Sequence, residues 1–400
     1  MIPRHVPALA LGTLALGVAE FSMMSILLPV ADDLGVTVPE AGHFISAYAA
    51  GVCAGVLIMA AAARKTLLLI IVGIITLGNT LTVFVGSYHL MLFSRFIAGL
   101  PHGAYFGAAG VLCTQLADPG KASRDMCLMV AGMTIANLAG VPLASFLAWA
   151  VSWRAAFAIA AAAALITFAA IRITVPKVPA LPDSGFAAQF RFLRSLEPWL
   201  VLGAIGLGNG GFFAYYSYVN PVMEHVAAVP ASMMSVVITL AGAGMVLGNL
   251  FCAKISSSFS DESLAAAGQG VLLLSLASVF FLAHWSPAAI ALTTLAAGCV
   301  FFISGPEQVL MIRNAKEGQL LAASLAQVSF NAGNAVGAWL GGLPIDAGKA
   351  ANWAAMPGFF LALAGFGLLF VNWLIHRVRE EERTAGRIAA LQDQIQSKAP

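Results

Sequence analysis

The sequence predicts an all-α membrane protein, with twelve transmembrane helices in two six-helix bundles and both termini in the cytoplasm. Three observations predict it. Hydrophobic residues make up 60% of the 400-residue chain and charged residues only 10%, with a mean hydropathy of +0.90, too little polar surface to coat a water-soluble domain. Apolar runs of roughly 20 residues or more, enough to cross ~30 Å of hydrocarbon, succeed one another with short breaks. Threaded this way, Arg4, Arg64, Lys65, Lys121, Arg124, Arg172, Lys177, Arg191, Arg194, Lys254, Arg313, Lys316, Arg377, Arg379, Arg383, Arg387 and Lys398 fall on one face, and only Arg154 and Lys349 on the other. Cationic loops resist translocation, so the basic face is inside.

The first-half spans are expected at 7–30, 40–62, 66–87, 90–117, 124–149 and 153–175. The first run is too long for a signal-peptide core and has no cleavage pattern, so it is read as a retained span. Residues 176–197 collect prolines and the charges Asp183, Arg191, Arg194 and Glu197, and read as a cytoplasmic linker between bundles at 1–175 and 198–376. The second set of spans follows at 198–223, 231–255, 263–284, 287–312, 318–345 and 351–376. Beyond Trp373 the chain turns polar, and 377–400 reads as a cytoplasmic tail carrying a short surface helix. Gly51 and Gly55 recur as Gly244 and Gly248, Pro29 as Pro221, and Asn137 with Gly140 as Asn334 with Gly337, at offsets of 193, 192 and 197. A nearly constant offset in three separated segments points to a duplicated six-span unit around a central site.

Several function classes are excluded. A net charge of +2 with scattered basic residues argues against nucleic-acid binding. Cys53, Cys113, Cys127, Cys252 and Cys299 lie in or beside apolar runs without metal-ligand spacing, so they read as small buried hydrophobes and no metal or cofactor is expected. No phosphate-binding GxxxxGK[ST], HExxH or CxxC pattern occurs, and the ionisable groups make no nucleophile, base and oxyanion set, so an enzyme is not expected.

Ionisable residues inside a span are costly and normally face a wet cavity or a partner. Glu20 lies ~15 to 18 Å from the outer end of the first span, and His102 ~19 Å into the fourth, at similar depth. Arg95 is seven residues before His102 and shares its helical face. Burial favours a neutral carboxyl and a nearby cation an ionised one, so Glu20, His102 and Arg95 suggest a proton-coupling column. The same residues also suit helix packing and carbonyl capping. Glu307, six residues before Arg313, reads as a possible inner gate or a solvated helix-end acid. In the seventh span Asn209, Phe213, Tyr216 and Asn220 recur at helical spacing and offer amides and rings to a polar or amphipathic ligand. Gln327, Asn331 and Asn334 form a polar stripe in the eleventh, open equally to substrate contact and interhelical clamping. Gly132, Gly140 and Pro142 in the fifth span, with Gly333 and Gly337 in the eleventh, favour close packing and a bend between moving helices.

Together, AEF (Ala19 to Phe21), ISAYAAGVCAG (Ile45 to Gly55), SRFIAGLPHGAYFG (Ser94 to Gly107), ANLAGVP (Ala136 to Pro142), SWRAAF (Ser152 to Phe157) and FNAGNAVG (Phe330 to Gly337) resemble the major facilitator superfamily, specifically its drug:proton antiporters of the arabinose-efflux-permease (AraJ-like) group. The resemblance covers nearly the whole chain. It implies alternating access, a cavity lined by spans one, four, seven and ten, a proton-coupling role for Arg95, and an antiport motif holding Gly132, Gly140 and Pro142. The chain departs from the family pattern between spans two and three, where only Arg64 and Lys65 remain without an aspartate, and after span eight, where Ser256 and Ser257 stand in place of an acid. The expectation is a proton-coupled antiporter in a bacterial inner membrane, working as a monomer and exporting a small sugar-like or drug-like molecule. An uncoupled facilitator or importer and a transport-inactive sensor or scaffold are the alternatives.

Overall fold

A computed structural model describes residues 4–58, 65–116, 122–176, 190–256, 258–315 and 319–396. The described chain is about 90% helical and without strands. Twelve rods run back and forth: α1 (His5–Ser25, resumed as Leu27–Leu34), α2 (Val38–Ile58), α3 (Lys65–Val83), α4 (Tyr88–Gly99, resumed as Pro101–Leu116), α5 (Ala122–Ile135, a π-turn Ala136–Gly140, then Val141–Ala150), α6 (Arg154–Thr174), α7 (Leu196–Tyr216, then Val219–Pro221 and a π-turn Val222–Val226), α8 (Met234–Ile255), α9 (Asp261–Leu282), α10 (Ser286–Asn314), α11 (Gln319–Asp346) and α12 (Ala355–Gln396). Most of the expected linker, 177–189, lies outside the described residues, as do Arg64, Lys121, Lys316 and Lys398; Arg191–Arg194 forms one 3-10 turn.

Proline explains the interruptions. Pro29 and Pro221 lack the N–H that would bond the carbonyl one turn back, and the helices break three residues earlier, at Ile26 (φ −121°, ψ 21°) and Tyr218 (φ −110°, ψ 20°). Pro142 has the same defect, and the backbone before it widens so that the Val141 N–H bonds the Ala136 carbonyl five residues back. The tail differs from the expected separate helix. With no proline between Trp373 and Gln396, nothing terminates α12, which runs on as one rod into the cytoplasm.

Among the described residues, eight segments are long and apolar enough to span a membrane by length and composition alone. Of the four rods without one, α4 is divided at Leu100 into runs of 12 and 16 residues, and α2, α7 and α11 carry polar side chains such as Ser46, Asn209 and Asn331 within the span.

The duplication inferred from glycines is visible in the packing. Helix α1 packs on α5 and α6, α2 on α4, and α3 on α6; in the second half α7 packs on α11 and α12, α8 on α10, and α9 on α12. Each pair repeats with six added to both numbers. The bundles meet along two seams, α2 with α11 and α5 with α8, which the same shift exchanges. Glycine makes the close approaches: a Cβ at Gly51 would lie 2.2 Å from the Phe96 carbonyl oxygen and one at Gly55 1.7 Å from that of Leu100, while Gly244 and Gly248 stand 2.3 Å and 2.1 Å from the carbonyls of Thr294 and Gly298. Gly333 and Gly337 do the same between α11 and α7, at 2.0 Å from the Gly206 oxygen and 2.2 Å from the Gly210 oxygen.

These contacts involve backbone atoms that cannot swing aside. Gly337→Ala is therefore expected to lower stability by about 1 to 3 kcal/mol, whereas Gly73→Ala, whose Cβ meets nothing within 4 Å, leaves it unchanged or raises it. Thermal unfolding of the two variants in detergent checks the contrast.

Candidate functional site

A cavity of about 500 Å³ lies between the bundles. Its walls are Glu20 and Phe21 of α1, His102 and Phe106 of α4, Met129 and Met133 of α5, Ile205 of α7, Phe301, Ser304, Glu307 and Gln308 of α10, and Gln327 and Phe330 of α11. The lining continues inward to Gly110, Ile312 and Ala323, so the cavity belongs to the cytoplasmic side. A larger groove of about 720 Å³ runs between α8, α9 and α10, past Leu247, Phe251 and Val271. It is almost wholly apolar and flanked by exposed Leu250 and Leu274, which makes it a lipid-facing cleft without the converging polar groups of a solute site.

Glu20 is 3% exposed at the cavity wall. Asn334 Nδ2, from the opposite bundle, donates to its Oε1 at 3.4 Å, and His102 Nδ1 lies 3.7 Å from Oε2. The Tyr48 hydroxyl stands closer to that ring nitrogen, at 2.9 Å, so His102 is engaged by Tyr48 more than by Glu20. Arg95 is fully buried. Its Nη2 donates to the Ala19 carbonyl at 2.7 Å, one residue before Glu20, and its guanidinium sits over the rings of Tyr48 (4.5 Å) and Phe157 (5.0 Å). Aromatic faces and a carbonyl thus hold the cation without an ion pair to the acid. The expected column is assembled in space, with Tyr48 as an unforeseen member joining its ends. Tyr48 falls one turn before Gly51, the residue that lets α2 close on α4, and that spacing was the available signal.

Glu307 lines the cavity at 2% exposure, with Asn209 Nδ2 3.5 Å from Oε2 and no partner for Oε1. The inner gate expected from its nearness to Arg313 does not form. Arg313 bonds Glu262 and approaches Asp261 at 4.0 Å, while His376 Nδ1 reaches Glu262 at 3.2 Å. These acids, a few residues beyond Ser256, supply a charge cluster joining α9, α10 and α12 within the second bundle. Side chains on a helix tilt toward its N-terminus, which for α10 is the outer end, and this lifts the Glu307 carboxyl into the cavity.

Of the amide and aromatic faces, Gln327 reaches the cavity and Asn334 reaches Glu20, while Asn331 donates to the Gln327 carbonyl at 3.0 Å. Phe213 lies behind two lining rings: it stacks on Phe21 (6.4 Å) and meets Phe330 edge-on (5.2 Å). Tyr216 and Asn220 do not line the cavity. Tyr216 stacks on Phe212 at 4.7 Å, and Asn220, beyond the break at Tyr218, accepts the Leu28 N–H at 2.9 Å and donates to Glu224 at 2.5 Å. The helix breaks at Tyr218 between these two residues, and the bundles close on this side of the cavity. Gly132 and Gly140 seat α5 on α1, their Cβ positions falling 2.0 Å from the Ala10 oxygen and 2.5 Å from Val18, and Pro142 follows the π-turn.

The outer seam is closed by bonds between bundles: Leu28 to Asn220, and the Ser46 hydroxyl to the Ala335 carbonyl at 2.8 Å. Tyr218 wedges beside Gly42 and Gly342 and donates to the Ala338 carbonyl at 2.9 Å. Asn220→Ala strands the Leu28 N–H that the break at Ile26 sets free, a cost of about 1 to 3 kcal/mol to the closed seam. A cysteine introduced at Ser46 is expected to react faster with a membrane-impermeant thiol reagent from outside in the Asn220→Ala background than in its absence.

The sequence comparisons agree with this geometry. The model of the Major Facilitator Superfamily matches residues 9–320. AraJ of Escherichia coli (strain K12) is 36% identical over 368 residues, covering 91% of this chain and 93% of its own. The purine ribonucleoside efflux pump NepI of Shigella sonnei (strain Ss046) is 26% identical, covering 82% and 84%. A crystal structure of a D-xylose-proton symporter superposes with a TM-score of 0.73 at 15% identity, covering 92% of this chain and 97% of that one, and shares the fold. The chain belongs to the Major Facilitator Superfamily and is a transporter of the bacterial inner membrane, not an enzyme.

Proposed function

We propose that the protein is a proton-coupled antiporter that exports a small polar or amphipathic molecule by alternating access. The carrying observation is Glu20, an acid buried at the wall of the substrate-sized cavity and bonded across the bundle interface by Asn334. A carboxyl there cannot hold its charge cheaply without water or a cation, so opening and closing of the interface changes its hold on a proton. A proton and a substrate that each favour a different state of the interface become coupled through it. His102, Tyr48 and Arg95 form the polar surround of that acid, and Arg95 acts at one remove through the Ala19 carbonyl. The closed outer seam and the inward-leading cavity suit loading from the cytoplasm, and the efflux name of one relative supports the outward direction. Phe213 behind the lining rings, and Asn209, Gln327, Asn331 and Asn334 as amides near the wall, are the proposed substrate contacts; Tyr216 and Asn220 contribute when the outer side opens. The packing at Gly132, Gly140, Pro142, Gly333 and Gly337 is proposed to guide the rocking of the bundles.

Proteoliposomes loaded with a pH-sensitive dye test the proposal against a panel of sugars, nucleosides and antibiotics. The expected result is a substrate-triggered pH change that Glu20→Gln abolishes while substrate binding survives. Labelled substrate crossing without proton movement, equally well in Glu20→Gln, would identify a facilitator and overturn the coupling.

A further inference from the structure

The cavity carries a second acid with a different surrounding. Glu20 has an amide from the opposite bundle, an imidazole at 3.7 Å and a guanidinium bound next to it in the chain. Glu307, on the facing bundle, has only Asn209, at a long 3.5 Å, and its Oε1 is buried without a hydrogen-bond partner. Asn209 Oδ1 is likewise unpartnered. Among the described residues no Lys or Arg lines the cavity, and the nearby Arg313 is occupied by Glu262. Glu307 Oε1, a buried and unsatisfied acceptor, therefore stands at a wall that among the described residues offers no Lys or Arg, with the unsatisfied Asn209 Oδ1 on the amide beside that carboxyl. A buried acceptor without a donor is costly, and a ligand that brings the donor relieves it.

We propose that Glu307 and Asn209 form the subsite for a cationic nitrogen of the transported molecule, so that the cargo is an amphipathic organic cation. Its charged head is held by the second bundle, and its apolar body lies against Phe301, Phe330, Phe106 and Met133. Aromatic faces and thioethers accept such a body without demanding one shape. Two acids and, among the described residues, no lining Lys or Arg also disfavour anionic cargo. The division of labour follows: Glu307 holds the cargo's charge from one wall, while Glu20 exchanges the proton at the other. The assignment rests on the proposed use of this cavity for cargo, but it does not need proton coupling.

The test uses two matched probes in detergent at equilibrium: a dansyl amide bearing a 2-(dimethylammonio)ethyl group, whose N–H can donate, and its uncharged isostere in which an isopropyl group replaces the dimethylammonium. Dansyl fluorescence reports binding of both. The native chain is expected to favour the cation by roughly tenfold or more, a modest value for a charge pairing in a partly dry site. Glu307→Gln is expected to erase the preference while the isostere still binds, which also shows that the variant is folded, and Glu307→Asp to keep part of it. Equal binding of the probes by the native chain, a preference that survives Glu307→Gln, a preference lost only in Glu20→Gln, or no binding of either probe would each overturn the assignment. Cation binding at Glu307 without proton movement in the liposome assay would sink only the coupling. Proton coupling with no preference between the probes would sink only the cation subsite.

Discussion

A carboxyl group with no ion-pair partner, held between two helix bundles, is the constraint on which the site depends. Burying a carboxylate costs several kcal/mol unless it is paired and hydrogen-bonded, and Glu20 has one long amide bond and an imidazole already engaged by Tyr48. On the proposed coupling the group takes either form, and the opening or closing of the interface decides which prevails. Arg95 could have fixed the charged form with a direct pair. Instead it is restrained by two aromatic rings and the Ala19 carbonyl, close enough to influence Glu20 but not to lock it. The positions of Tyr48 and Phe157 are therefore as much a part of the site as the acid itself.

That exchange needs a scaffold whose halves move without losing their shape. Within each bundle, glycines set backbone against backbone, as Gly51 and Gly55 do on α4 and Gly244 and Gly248 on α10. Such contacts have no side chain to rearrange and keep a bundle rigid. Between bundles the contacts are of another kind: single hydrogen bonds such as Ser46 to Ala335 and Leu28 to Asn220, and ring contacts such as Phe21 on Phe213. Each is individually weak and can be exchanged for water or lipid. Strong packing inside the halves and replaceable contacts between them is the mechanical condition for rocking.

Most of the fold was legible in the sequence because hydrophobic length, loop charge and proline position act locally. Pro29 and Pro221, with the recurring glycines, pointed to a duplicated unit, and the structure adds that the prolines follow paired breaks and the glycines make paired contacts. The continuation of α12 past the apolar run was not legible, since a polar helix and a polar tail have the same composition until a terminator is sought. At the site, residue depth was readable to within a turn and placed Glu20 beside His102. Glu307 lines the inward-leading cavity while Arg313 is taken up by Glu262, a pairing between helices that spacing along one helix does not encode. Tyr216 and Asn220, with the break at Tyr218 between them, lie where the bundles close, a property of the assembled pair of halves that no single helix encodes.

The duplication has a further consequence for how protonation and movement connect. A six-helix shift exchanges the seams α2–α11 and α5–α8, so an outer closure and an inner closure can use equivalent surfaces. The acids do not follow this symmetry: Glu20 is on α1, and Glu307 is on α10. A symmetric hinge therefore carries an asymmetric load. Because Glu20 is bonded to Asn334 on α11, a helix of the α2–α11 seam, its charge bears on the seam directly. Asn334 can donate to a neutral or an ionised carboxyl, but the bond to an ionised one is roughly twice as strong. On the proposed coupling, loss of the proton tightens the tie between bundles at the same time as it raises the cost of keeping the acid dry. These opposing terms let a few kcal/mol of cargo binding decide which way the interface goes.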